Sequence, residues 1–209
     1  MITPLEERCG PGFAPVLQRL QTAELERHAG TIYALNPEFR LAYFNPYWLR
    51  FVRENQAADY LLSPGCLGLE IMAVIPEVLQ PFYRSIYQAV TLETKQATQP
   101  FQFEYECSSP QVFRKFLMTL YPMEGGLLVV NSLVVEEPYA ATGRPIEKPD
   151  FKIYLAANGM IYQCSHCRRF QHQADPARWD WVPEWVAKMP AGISHTICNT
   201  CFGYFYSSK

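Results

Sequence analysis

Polar and apolar side chains alternate most regularly between residues 101 and 107, which read Phe-Gln-Phe-Glu-Tyr-Glu-Cys. An alternation with a period of two is typical of a β-strand with one buried face. The same alternation continues from Phe113 to Tyr121, and Gly125-Gly126 separates it from an apolar run from Leu127 to Val135. We therefore predict three consecutive strands of an antiparallel sheet.

A shorter hairpin is predicted upstream of these strands. Thr31–Leu35 and Arg40–Phe44 are two apolar segments joined by Asn36-Pro37-Glu38-Phe39, a sequence typical of a turn. Asn45 then has the side chain of a good N-cap, and Pro46 suits the first helical turn. The pattern indicates two strands that lead directly into a helix.

Two further helices follow from apolar residues that recur at helical spacing. One is predicted from about Pro76 to Gln88, between the hairpin and the three strands. The other is an amphipathic leading helix from about Pro15 to His28. Together the elements predict an α+β protein, in which a helical middle separates two strands from three.

Four of the seven cysteines form two C-x2-C pairs near the C-terminal end, Cys164 with Cys167 and Cys198 with Cys201. Two such turns supply the four thiolates that Zn²⁺ prefers. The 30 residues between the pairs exceed the roughly 15–20 of the usual spacing. We therefore predict a small zinc-ribbon-like module with a folded insert, in which a short helix begins at Pro183 and three tryptophans form a small core.

Other uses of these cysteines stay open at the level of the sequence. His166 and His195 are alternative ligands, iron accepts the same sulfur geometry, and Cys164 with Cys167 could act as a redox dithiol. Disulfides are disfavoured, because the cysteine count is odd and no signal peptide is recognisable. These features, and the lack of an apolar run long enough to span a bilayer, predict a cytoplasmic protein without membrane contact.

Composition and charge set the limits of the predicted domains. The chain has 209 residues, of which 49% are hydrophobic and 18% charged, with a net charge of −2. Residues 151–209 hold six basic and three acidic side chains, which is too sparse for a dedicated nucleic-acid-binding surface. We predict a leading helix over 1–29, a main domain over 30–136, a linker rich in breaker residues over 137–150, and the cysteine module over 151–209.

Two segments of the main domain resemble the PAS family. The hairpin that ends Arg40-Leu41-Ala42-Tyr43-Phe44-Asn45-Pro46-Tyr47-Trp48 resembles the opening of a PAS domain, and Leu67-Gly68-Leu69-Glu70-Ile71-Met72 with Val74-Ile75-Pro76 resembles the following segment. The likeness covers about residues 30–136. The tail, from Cys164-Ser165-His166-Cys167 to the second pair, resembles a cysteine-rich extension found after PAS domains in bacterial sensory proteins.

The resemblance implies a PAS-like five-stranded antiparallel sheet over helices, and a non-enzymatic sensory or protein-interaction module in signal transduction. Its partner would be another protein or a second copy, bound as a homodimer through the N-terminal helix. An interior cleft could bind a small apolar or aromatic ligand, although a filled core is the alternative. The cleft would be lined by Phe103, Tyr105, Phe116, Met118 and Asn131.

Two cofactors of PAS relatives do not suit these residues. Haem is disfavoured because residues 76–90 contain no histidine, and photoactive flavin because Cys66 lacks the Asn-Cys-Arg context. Patterns of hydrolases, zinc proteases and phosphate-binding loops are absent from the sequence. We therefore expect no enzyme, with a thiol redox protein or a zinc-dependent nucleic-acid-binding regulator as the alternatives.

Overall fold

The computed structural model describes residues 3–54, 59–62, 64–92 and 100–207. The chain divides into two compact units. The first consists of Met1–Glu104 with Leu117–Leu133, and the second of Tyr105–Phe116 with Val134–Lys209. Each unit consists of two separate stretches of the chain, whereas the predicted domains 1–29, 30–136, 137–150 and 151–209 follow one another. The predicted limits therefore stay predictions.

Five strands form the sheet that the sequence predicts. They are β1 (Thr31–Leu35), β2 (Leu41–Phe44), β3 (Phe101–Glu106), β4 (Val112–Met123) and β5 (Gly126–Pro138), in the order β2-β1-β5-β4-β3. Strand β1 pairs antiparallel with β2 and with the central strand β5, where Thr31 lies opposite Asn131 and Leu35 opposite Leu127. The α+β class and the five-stranded antiparallel sheet are confirmed.

The helices around this sheet are α1 (Ala14–Arg19), α2 (Thr22–Arg27), α3 (Pro46–Glu54) and α4 (Gln80–Leu92). Asn45 caps α3 as predicted, because its Oδ1 accepts the N–H of Trp48 at 3.2 Å and that of Ile32 at 3.0 Å. The second predicted helix begins as a 3-10 turn over Glu77–Leu79 and continues as α4. Further 3-10 turns cover Leu5–Glu7, Asp59–Leu62, Pro64–Cys66 and Ile71–Val74.

The prediction of one leading helix over residues 15–28 is wrong. The chain is extended at Leu20, with φ −89° and ψ 158°, and the Thr22 hydroxyl donates to the carbonyl of Leu17 at 2.8 Å. The Leu17 carbonyl also accepts the N–H of Leu20 at 3.1 Å, so two hydrogen bonds close the end of α1 and α2 begins as a separate helix. A local side-chain bond has overridden the helical spacing of the apolar residues.

The apolar side of these two helices covers one face of the sheet. Phe13 and Leu17 pack in a buried cluster with Ile32, Ala34 and Leu128. The Arg8 guanidinium, 1% exposed, pairs with Glu26, and the Tyr43 hydroxyl donates to the same carboxylate at 2.7 Å. This side is therefore engaged within the chain, and the homodimer through the N-terminal helix stays a prediction.

The second unit contains a smaller four-stranded sheet with three short helices. Its elements are α5 (Phe151–Tyr154), β6 (Ile161–Cys164), β7 (Phe170–His172), β8 (Asp175–Asp180), α6 (Pro183–Ala187), β9 (Ile193–Thr196) and α7 (Asn199–Phe205). The strand order is β8-β7-β6-β9, and β9 runs parallel to β6. The predicted helix at Pro183 is confirmed as α6.

Aromatic residues form the core of the second unit. Trp181 and Trp185 are buried with Phe170 and Tyr154, which confirms the small tryptophan core for two of the three residues. Tyr139, from the segment predicted as a linker, is 1% exposed and stacks on Trp181 with ring centroids 4.5 Å apart. Residues near 139 therefore belong to this core.

Among the described residues, no helix has the length and apolar character needed to cross a membrane.

Candidate metal centre

The four cysteines of the two pairs meet in one buried cluster. The Sγ atoms of Cys164, Cys167, Cys198 and Cys201 all lie within 4.8 Å of one another. The Sγ atoms of Cys167 and Cys198 are 3.7 Å apart. In a tetrahedron with metal–sulfur bonds of about 2.3 Å, the sulfurs would be about 3.8 Å apart. The observed spacing therefore fits a tetrahedral metal site with four thiolate ligands.

The first pair is held by the tight turn between β6 and β7. Cys164 is the last residue of β6, and its N–H donates to the carbonyl of Arg169 at 2.8 Å. Arg168 has a positive φ of 62° and donates its N–H to the carbonyl of Cys164 at 2.8 Å. This left-handed residue turns the chain, so that Cys167 comes back beside Cys164.

The second pair lies at the junction of β9 and α7. Cys198 is the N-cap of α7, and its Sγ accepts the N–H of Cys201 at 3.4 Å. The N–H of Cys198 in turn donates to Sγ of Cys164 at 3.3 Å. Backbone N–H groups at a helix start stabilise negative charge, and these bonds suit thiolates.

A zinc ribbon as predicted is not confirmed, because only the first pair lies on a hairpin. The second pair is carried by a helix start, since residues 199–205 form a helix and the sulfur of Cys198 can cap it. The difference lies in the local structure around the cysteines and not in the set of donor atoms.

The environment of the cluster favours ionised sulfur at some positions. A hydrogen bond with Cys167 lowers the pKa of the Cys164 thiol to about 7, and a hydrogen bond with Cys164 lowers the pKa of Cys198. Hydrogen bonding with Cys164 raises the pKa of the Cys201 thiol.

Neither of the two histidines predicted as alternative ligands joins the sulfur cluster. His166 is 9% exposed and stacks on Phe205 with centroids 4.0 Å apart, while its Nε2 lies 3.2 Å from the Tyr206 hydroxyl. Burial lowers the pKa of His166 to about 4, so the ring is neutral at pH 7. His195 is exposed on β9. The four cysteines supply the whole donor set among the described residues.

The remaining cysteines lie outside the cluster and are poor nucleophiles. Cys9 and Cys66 are buried, and burial raises the pKa of Cys66 to about 11. Burial also raises the pKa values of Cys9 and Cys107. A thiol with a raised pKa is protonated at neutral pH and reacts slowly.

The structure brings together only part of the predicted ligand cleft. Tyr105 stacks on Phe116 with ring centroids 5.6 Å apart. Phe103 packs edge to face against Phe82, also with ring centroids 5.6 Å apart. Met118 and Asn131 are each 5% exposed. The Asn131 amide donates to the carbonyl of Thr31 at 3.5 Å, which gives it a role in the sheet. A ligand cleft formed by these five residues stays a prediction.

One charged group near the cluster was missed at the sequence level. The Nη2 atom of Arg169 lies 3.1 Å from a carboxylate oxygen of Glu106 and 3.2 Å from the Tyr139 hydroxyl. Although burial opposes its charge, Glu106 raises the pKa of Arg169. Glu106 lies 63 positions away in the chain, so nothing in the local sequence indicates this pair.

Comparisons with known proteins add little to this geometry. No known protein family matches the chain. No curated protein matches it either. Among the solved structures that match is one described as a PAS domain from a two-component sensor histidine kinase. It covers 59% of this chain and 99% of its own, at 11% identity and a TM-score of 0.29. A TM-score this low does not establish a shared fold.

The class of protein therefore follows from the fold and the cysteine cluster. The chain is a mixed α+β protein with a five-stranded antiparallel sheet and a four-cysteine cluster that could hold a metal ion.

Proposed function

We propose that this protein is a non-enzymatic PAS-type sensory or protein-interaction module, whose second unit is held together by a structural zinc ion. The observation that carries the metal part is the buried cluster of Cys164, Cys167, Cys198 and Cys201, with all four sulfurs within 4.8 Å. Four thiolates complete a tetrahedron, and a closed zinc site of this kind is structural rather than catalytic. The ion would tie the turn after β6 to the start of α7.

The sensory part rests on the arrangement of the main sheet and on the sequence motifs. Two strands precede the helical middle and three follow it, as the PAS resemblance implies. The capped helix start at Asn45 lies within the motif that carries the resemblance. A module of this kind would pass its signal by contact, in the cytoplasm, to another protein. A second copy would have to bind through a surface other than the covered face of α1 and α2.

The first test is elemental analysis of the purified chain by mass spectrometry, with a visible absorption spectrum and a native thiol count. We expect about one zinc per chain, no visible absorption, and four thiols that become reactive only after a chelator is added. Bound iron would overturn the choice of zinc. A metal-free chain with four readily titratable cluster thiols would sink the structural-zinc proposal and favour a thiol redox function.

The non-enzymatic role needs a separate test, because zinc content says nothing about it. Recombinant full chain with Cys164→Ser and Cys167→Ser can be assayed in parallel with wild type for disulfide reduction. We expect no activity in either protein. Activity that requires both thiols would contradict the proposal and support the redox alternative.

A further inference from the structure

A cavity of about 410 Å³ lies in the second unit beside Cys198. Its walls include Arg144, Arg169, Ala177, Trp179, Asp180 and Thr200. The volume falls at the small end of the range of about 300–1,000 Å³ that is usual for ligand sites. It would hold about 14 water molecules at about 30 Å³ each, which is room for a small organic molecule.

The two arginines of the wall share one carboxylate. Arg169 donates through Nη2 to both oxygens of Glu106, at 3.1 and 3.2 Å, and Arg144 donates through Nη1 to Glu106 at 3.3 Å. Within the part of the chain that the structure describes, the Nε and Nη1 groups of Arg169 make no hydrogen bond to protein. Two guanidinium groups thus face one carboxylate, and several N–H donors remain for a ligand.

The carboxylate in the cavity wall does not use up these donors. Asp180 accepts from Arg178 Nε at 2.7 Å through one oxygen and from the Tyr154 hydroxyl at 2.9 Å through the other. Arg178 also pairs with Glu147, so two carboxylates already balance its charge. The wall therefore offers donors in excess of acceptors, which favours a ligand that carries a carboxylate.

The rest of the wall is suited to a flat apolar group. The ring of Trp179 is half-buried, and the stacked pair of Tyr139 and Trp181 forms the adjoining wall. Aromatic rings in this environment pack against other rings, edge to face or offset. The guanidinium groups of Arg144 and Arg169 lie in the same wall, so the carboxylate is expected there.

We propose that this cavity binds a small aromatic carboxylate, with its charged group on Arg144 and Arg169 and its ring against Trp179. The proposal goes beyond the sensory function proposed above and does not depend on it. The site lies within the second unit and uses residues outside the predicted cleft of Phe103, Tyr105, Phe116, Met118 and Asn131.

The test is isothermal titration calorimetry of the full-length, metal-replete protein with benzoate. We expect a dissociation constant on the order of 0.1–1 mM, typical of so small a ligand. Benzamidine, which has the same ring and the opposite charge, is expected not to bind. Inorganic phosphate is expected to bind at least tenfold more weakly, because it cannot use the aromatic wall.

Three variants locate the site. Arg144→Gln removes the more exposed guanidinium and should weaken benzoate binding about tenfold, the cost of one charge-assisted hydrogen bond. Ala177→Trp fills the cavity from an exposed strand position and should abolish binding without touching any charge. Arg19→Gln, which removes an exposed paired arginine in the first unit, should bind as wild type does. Circular dichroism and zinc content establish that each variant is folded.

The proposal is overturned if folded wild-type protein does not bind benzoate at 10 mM. It is also overturned if Arg144→Gln and Ala177→Trp both bind as tightly as wild type. Equal binding of benzoate and benzamidine would show that the guanidinium groups do not select the ligand, and would overturn the choice of an anion.

Discussion

Replacement of Cys198 by serine separates metal ligation from the other role of this residue. The Cys198 sulfur lies 3.7 Å from that of Cys167 and also caps α7 through the N–H of Cys201. Serine is a good N-cap, so Cys198→Ser keeps the cap and removes one thiolate. A change in the zinc affinity or the melting temperature of this variant therefore reports on the loss of a metal ligand.

The magnitude follows from the four-ligand geometry. Binding of a structural zinc ion contributes about 10–16 kcal/mol in small zinc modules, or about 2.5–4 kcal/mol for each of four ligands. We expect Cys198→Ser to weaken zinc affinity by about two to three orders of magnitude. The helix that the ion would tie down has only seven residues and is too short to be stable alone. Loss of zinc should therefore unfold α7.

The assay is competition with a chromophoric chelator, followed by thermal unfolding with and without excess zinc. The matched control is Cys107→Ser, which removes a thiol of the same unit that lies outside the cluster. The control should keep wild-type affinity. The reasoning is refuted if Cys198→Ser binds zinc as tightly as wild type, or if both variants lose zinc equally.

Three further predictions concern the first unit. Arg8→Met removes a buried guanidinium and leaves the half-buried Glu26 carboxylate with the Tyr43 hydroxyl, so it should cost about 1–3 kcal/mol of unfolding free energy in urea, whereas Arg19→Gln, at an exposed pair, should cost about 0–1 kcal/mol; equal losses would contradict the burial argument. Gly126→Ala should cost more than about 2 kcal/mol, because φ is +145° and the new Cβ would lie 1.9 Å from a carbonyl oxygen of β1; an unchanged melting temperature would count against this strand register. Burial raises the pKa of Tyr33 to about 12, above the unfolded value of about 10. The protonated hydroxyl therefore contributes fully to the free energy of unfolding below pH 10, and about 2–3 kcal/mol of that free energy is lost by pH 12. Tyr33→Phe should flatten that alkaline decline in urea titrations, and an equally steep decline would exclude Tyr33 as its source.

The strands were predictable because their signal is local. A period of two in side-chain polarity predicts a strand, and the segments around residues 103 and 117 carry it, while the segment around residue 131 is a short apolar run that follows a glycine pair. The cap at Asn45 and the helix start at Pro183 were predictable for the same reason, since each needs only its neighbours.

The leading helix shows where local periodicity fails. Apolar residues recur at helical spacing through Leu20, but the chain is extended at that residue, and the Leu17 carbonyl accepts both the Leu20 N–H and the Thr22 hydroxyl. Packing of Phe13 and Leu17 on the sheet then favours the broken form.

The donor set of the metal centre could be predicted from the residues alone, because two C-x2-C turns each bring two sulfurs together within four residues. The meeting of the two pairs, the position of the second pair at the start of α7, and the pairing of Arg169 with Glu106 could not. These contacts join residues that are far apart in the chain. Contacts across 31 and 63 positions depend on the fold of everything between, and no local pattern of side chains encodes them.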